Sequence, residues 1–158
     1  ALKSVDELGA SRAVERNLVL PNGPQQLVAV AEMTPNGFAV TRVPPMLGRT
    51  FVDADLGSGA PSVVVIGHDL WQHHLRGDPA ILGKTVQLGA TRAEVIGIMP
   101  KGFAFPRHQQ AWLPLRDVAA RPGDGPPVLV FGRLASGATL KSAQTELETI
   151  HARLLPAD

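Results

Sequence analysis

Cysteine and tyrosine are both missing from the 158 residues. The first absence excludes disulfides, thiolate nucleophiles and cysteine-built zinc or iron–sulfur sites, and leaves the redox compartment open. Aromatic residues amount to 4%, too few for the stacking platforms that hold nucleic-acid bases. Neither sign of charge dominates, because 15 basic and 14 acidic residues leave +1. No basic stripe of the kind a polyanion surface needs is present, so no nucleic-acid partner is expected. Long apolar runs are lacking too. The longest without glycine is Leu27 to Ala31, against the ~20 residues of a membrane-spanning helix. No signal peptide is visible. The first residue is Ala1 rather than Met, which leads us to expect a piece of a longer protein.

What is present describes a folded domain. Hydrophobic residues make up 44% and charged residues 18%, unlike a disordered tail. A chain of this size buries about 68–70% of its unfolded surface, enough for one core or two small subdomains. The 16 glycines and 14 prolines predict many turns.

The polar opening, residues 1–16, reads as a frayed helix with Val5, Leu8 and Arg12 on one side. Leu18 to Leu20 is a short strand ended by Pro21-Asn22-Gly23-Pro24, and Gln26 to Met33 alternates as a strand. Thr34-Pro35 starts a helix that must stop before Pro44-Pro45. Residues 45–61 read as a loop with Asp53 and Asp55 exposed. Val63 to Ile66 is a buried β-branched strand, and His68 to Leu75 a helix that Gly77 ends. Asp78-Pro79 opens a single turn closed by Gly83. Lys84 to Leu88 and Glu94 to Met99 flank Gly89-Ala90 as a hairpin with a type II′ turn. Phe103 and Phe105 point the same way in an extended piece, and Trp112 to Leu115 is another. Arg116 to Pro127 is the loop or hinge, Val128 to Leu134 a strand, and Thr139 the cap of a last helix. Leu140, Ala143, Leu147, Ile150 and Leu154 form the apolar stripe of that helix, expected to pack within the domain. The order of elements reads as α+β, with mixed short-stranded sheets and helices on one face.

Chemistry is sparse. His68, His73, His74, His108 and His151 lack the spacing that makes side chains converge on an ion, and read as surface or partly packed residues. Asp53 and Asp55 lack the further oxygen ligands of a calcium loop and read as solvated charges. Ser58 and Ser62 have no nucleophile-elbow signature, and no glycine-rich phosphate loop follows a strand. Trp71, Phe103 and Phe105 read as core anchors, and Arg49 as an ion-pair anchor for its loop. No catalytic, cofactor-binding or metal-binding residue is assigned, and no cofactor is expected.

Residues 63–106 carry a familiar order of landmarks: Leu70-Trp71, Gly77-Asp78-Pro79, Gly83-Lys84, the hairpin, Gly97-Ile98-Met99-Pro100 and Gly102-Phe103. Pro35-Asn36 with Phe38, Pro45 to Phe51, Trp112 to Leu115, Gly132-Arg133-Leu134 and Gly137 to Leu140 extend it over roughly 18–155. The chain resembles the extracytoplasmic core domain of MacB-like ABC transporter permeases, whose membrane part is of the FtsX type. It departs from the pattern at Gly37 and Thr41-Arg42, which predicts a shorter, less buried first helix, at Gly67, which loses a hydroxyl cap, and at the Gly89-Ala90 turn. The resemblance implies an extracytoplasmic, periplasmic domain of two subdomains: a porter-like α/β half and a smaller β-rich half, about 45–115, inserted in it. It also implies flanking transmembrane helices of the same chain, with a membrane segment just past Asp158. Implied as partners are a second permease in a dimer, a periplasmic adaptor and an outer-membrane channel. ATP hydrolysis would sit in a separate cytoplasmic part, and the domain would transmit motion for substrate export without chemistry of its own. The alternative is a module whose groove between the subdomains binds a hydrophobic cargo, lipoprotein or adaptor.

Overall fold

Fifteen residues, Val5–Val19, form one long strand, β1, where the sequence predicts a frayed helix. The helical match rested on three residues. Val14, Leu18 and Leu20 recur at even spacing and pack on the core, and pairing with three other strands overrides the weak local preference. The computed structural model describes residues 2–116 and 124–154. After β1 come β2 (Gln26–Met33), α1 (Pro35–Thr41), β3 (Leu47–Gly48), β4 (Val63–Ile66), α2 (His68–His74), β5 (Thr85–Leu88), β6 (Thr91–Ile98), β7 (Ala111–Pro114), β8 (Leu129–Leu134) and α3 (Leu140–Leu154). Short 3-10 turns occupy Asp53–Leu56 and Pro79–Ile81. The expected loop over 116–127 falls largely outside the described residues.

The strands join in one mixed sheet that closes on itself. β1 pairs with β2, β2 with β7, β7 with β4, β4 with β6, β6 with β5, and β5 with β1 again. The β2–β7 and β4–β6 pairs are parallel and the rest antiparallel. Closure removes the open edges that would otherwise template unwanted pairing. β8 stands apart, pairing with the N-terminal half of β1 over Val5 to Ser11 and leaving its other edge free among the described residues. The α+β reading therefore holds.

Alternation along the ring strands divides the apolar residues in two. Val28, Val30, Val64, Ile66, Leu88, Val95 and Leu113 fill one cluster, joined by Leu70 and Trp71 of α2. Ala31, Met33, Val63, Val65 and Trp112 point the other way, into a second cluster with Phe38 of α1, Phe51 and Met99. β2, β4 and β7 are thus buried on both faces, which explains their near-continuous apolar sequences. Gly89 has φ 60 while Ala90 stays at negative φ, the requirement of a type II′ turn.

α1 is short, but Gly37, Phe38 and Val40 are buried, contrary to the expectation of a less buried helix. The missing side chain at Gly37 is the reason. α1 lies so close to β1 that a Cβ on Gly9 would stand 2.7 Å from the Gly37 Cα. Thr34 does not cap α1. Its hydroxyl instead accepts from the Ala10 N–H at 3.0 Å, tying the helix start to β1. The last helix is capped as predicted, with Thr139 Oγ1 accepting from the Ser142 N–H and Ser142 Oγ from the Thr139 N–H. Among the described residues no helix is long and apolar enough to cross a membrane.

Candidate functional site

Four of the five histidines lie along two helices, and His108 sits in a loop. His68 opens α2 with its ring edge-on to Trp71, centroids 5.7 Å apart. Its Nδ1 is buried without a hydrogen bond and lies 3.7 Å from Asp69 Oδ1. Among the described residues no three His, Asp or Glu side chains gather as a metal site. Trp71 is buried, its Nε1–H donating to the Asp78 carbonyl at 3.0 Å.

Asp53 and Asp55 do not act as a pair. Asp53 is exposed, but Asp55 is buried, against the expectation of a solvated charge. The 3-10 turn at Asp53–Leu56 folds Asp55 back onto Arg49, which donates to its two oxygens at 2.8 and 3.2 Å. The Val52 N–H adds a bond at 2.8 Å. Arg116 then reaches across, its Nε donating to the Asp55 carbonyl at 3.1 Å and its Nη2 to the Pro61 carbonyl at 2.8 Å. The Arg49 guanidinium holds the Asp55 carboxyl below its usual range, against the opposing effect of burial and helped by the Val52 amide and both arginine charges. Arg49 is raised in return by the Asp55 hydrogen bond. Sequence reading placed Arg49 as a loop anchor, and it is one.

Sequence reading offers a groove only as an alternative and names no residue as lining the concave surface. Trp112 Nε1–H donates to the Phe105 carbonyl at 2.8 Å, while Gln109, buried, accepts from the Arg107 N–H at 2.9 Å. These bonds hold residues 103–109 as a turning segment rather than the extended piece predicted, with Phe103 and Phe105 on the second cluster. Phe105 meets Phe131 of β8 edge-on at 4.8 Å. Arg133, also on β8, donates from Nε and Nη2 to the Val40 carbonyl at 3.1 and 2.7 Å. Between α1, this segment and β8 lies an open groove of about 530 Å³, lined by Val40, Val43, Phe103, Phe105, Arg107 and Arg133 among others. A second hollow of about 400 Å³ begins on the other side of Arg107, bounded by Arg12, Pro106, Pro127 and Leu129. The contributing residues are far apart in sequence, so no local motif announces them.

α3 is attached sparingly. Glu146 accepts from the Lys3 N–H at 2.6 Å, the Ser4 N–H at 2.9 Å and the Ser4 hydroxyl. These donors, the Ser4 hydroxyl foremost, hold its carboxyl below the ordinary glutamate range. Ala143 is buried, but Leu140, Leu147 and Leu154 are 78%, 45% and 77% exposed. The stripe expected to pack within the domain is therefore mostly uncovered. Val128, Leu129 and Val130 at the start of β8 are exposed as well.

The structure is a ring of strands with one long shared strand and one appended strand–helix unit, and no three His, Asp or Glu side chains gather among the described residues. The sequence pattern of the MacB-like periplasmic core domain matches residues 2–150, and the chain belongs to that family, whose members are extracytoplasmic domains of ABC-type permeases. No curated protein matches the chain. Among solved structures, the periplasmic region of MacB from Actinobacillus actinomycetemcomitans is similar at a TM-score of 0.76 and 16% identity, over 97% of this chain and 69% of that one. The extracellular domain of the noncanonic ABC-type transporter YknZ from Gram-positive bacteria is similar at 0.59 and 22% identity, over 72% of this chain. The match spans 57% of the YknZ domain's length.

Proposed function

We propose that this domain is a passive, force-transmitting body on the extracytoplasmic face of an ABC permease, moved by transmembrane helices at its two ends to drive export of a substrate. It does no chemistry of its own, and ATP is hydrolysed in a separate cytoplasmic part. The carrying observation is that the first and last described segments lie side by side. Lys3 and Ser4 bind Glu146 of α3, and the Ala135 N–H donates to the Ser4 carbonyl at 2.9 Å. A body entered and left at one place is suited to insertion between two membrane helices. β1 then carries displacement from that place into the ring, since β8 grips one half of it and β2 the other.

Residues 45–115 supply five of the eight strands, β3 to β7, which supports their reading as the β-rich subdomain. On this reading β1, β2, α1, β8 and α3 belong to the porter-like part, with β1 and β2 also completing the ring of β4 to β7. A permease dimer is part of the proposal, as are a periplasmic adaptor and an outer-membrane channel. The absence of cysteine makes the test direct. Spin labels on cysteines placed at exposed Leu27 of β2 and exposed Glu94 of β6, read within one protomer and across the two, report distances in the membrane-embedded permease. A shift on ATP turnover is expected between protomers, with distances inside the ring unchanged. Constant distances between protomers throughout turnover contradict the lever.

A second reading, a binding module for hydrophobic cargo, is favoured by the groove beside Arg107, between α1, residues 102–107 and β8. Thermal-shift measurements against apolar compounds test it.

A further inference from the structure

We propose that this groove binds a single-chain anionic amphiphile, with the acyl tail on Phe103, Phe105 and Val43 and the acidic head between Arg107 and Arg133. The inference rests on the binding-module reading and adds the chemistry of the ligand.

The volume of about 530 Å³ falls within the ~300–1,000 Å³ of small-molecule sites. Its floor is apolar and fixed in advance by the Trp112–Phe105 bond and the edge-on Phe105–Phe131 pair, so little ordering remains to oppose binding. The charge is one-sided. Among the described residues no carboxylate lines the groove. Among the described residues neither arginine forms an ion pair within 4.0 Å, although Glu7 stands opposite Arg133 in the strand register. Arg133 is half-buried and spends Nε and Nη2 on the Val40 carbonyl, which leaves Nη1 without a hydrogen bond among the described residues. Among the described residues Arg107 donates no side-chain hydrogen bond, and its backbone N–H is engaged by Gln109. Lys101 and His108 flank the same segment, exposed. Guanidinium groups beside an apolar wall favour a carboxylate, which accepts two N–H bonds in plane. A neutral apolar cargo would have no use for them.

Calorimetric titration of the 158-residue chain with dodecanoate, dodecyl maltoside and dodecyltrimethylammonium, each below its micelle concentration, separates the terms. Dodecanoate is expected to bind saturably at one site, at least tenfold tighter than the other two. Arg107→Gln is expected to weaken dodecanoate at least fivefold, leaving the maltoside and the melting temperature unchanged. Val43→Asp, which places a charge on the floor, is expected to weaken all three. Equal binding of the three amphiphiles, or an Arg107→Gln chain that binds dodecanoate as before, overturns the anionic head and leaves the apolar groove standing. Binding of none overturns the groove reading along with it.

Discussion

Removing the Asp55 carboxylate tests the reasoning most directly, because one side chain ties down the segment between Arg49 and Pro61. In Asp55→Asn the shape stays and the charge goes. Asn keeps one acceptor oxygen, which can serve Arg49 Nη1 and the Val52 N–H, but its amide nitrogen cannot accept from Arg49 Nη2. One Arg49 bond is therefore lost, and the other runs from the cation to a neutral oxygen. Arg49 is 49% exposed, so water screens the charge and the loss is held to about 1 kcal/mol. Asp55→Ala also removes the acceptor of the Val52 N–H, a loss of capping type worth about 1 kcal/mol more. The expected total is ~2 kcal/mol for alanine, a fall in Tm of about 4–8 °C at this chain length. Urea unfolding followed by the fluorescence of Trp71 and Trp112 measures it, with unchanged m-values. The pH dependence gives an independent check. The folded pKa lies below the unfolded one, so the contribution is complete above the ordinary carboxylate range and is lost as pH falls through the folded value. Wild type should lose its advantage over Asp55→Asn on acidification below about pH 4. An alanine variant within 0.5 kcal/mol of wild type, or a constant gap between wild type and Asp55→Asn from neutral pH down to pH 3, would refute the account (both limits on the order of measurement error).

Gly9→Ala forces a Cβ against the α1 backbone, and overpacking of this kind is expected to cost about 2 kcal/mol by urea denaturation. Glu146→Gln is expected to speed amide exchange in α3 while leaving the ring protected. Because the Glu146 pKa is lowered, acidification should loosen α3 of the wild type in the same way, measured by hydrogen exchange at two pH values. Leu140→Ser with Leu154→Ser should change stability by less than ~0.5 kcal/mol, since both side chains are uncovered in this domain. The purified chain should release no phosphate from ATP, and its melting temperature should be the same with and without a chelator.

Some of this was legible along the chain. β4 and the Thr85–Ile98 hairpin declare themselves because β-branched runs and a Gly-X turn are local signals. β1 does not, because its residues alternate weakly and its stability comes from partners 8 to 129 residues away. The helix at Leu140–Leu154 is plain from periodicity, yet periodicity says nothing about what lies over the stripe. Arg49 and Asp55 are six apart, a spacing without meaning in a strand or helix, and only the 3-10 turn brings them together. The groove is illegible for a plainer reason. Positions 40–43, 103–107 and 133 meet through the fold alone.

A lever must be stiffer inside than at its joints. The ring meets that condition, since each of its strands is held on both edges and β2, β4 and β7 are also packed on both faces. α3 does not, being tied by Glu146 and buried mainly at Ala143. Opening free energies follow apolar contact and protected hydrogen bonds, so exchange should be slowest in the ring and fastest in α3. The weak tie then has a consequence for transmission. A pull on β1 enters the ring through a continuous strand, whereas a pull on α3 must first strain the Glu146 contacts with Lys3 and Ser4. If the domain works as the proposed lever, motion delivered at the β1 end would be passed on, and motion delivered at α3 would be absorbed unless a neighbour covers Leu140, Leu147 and Leu154. Cover of that kind would convert a loose joint into a rigid one.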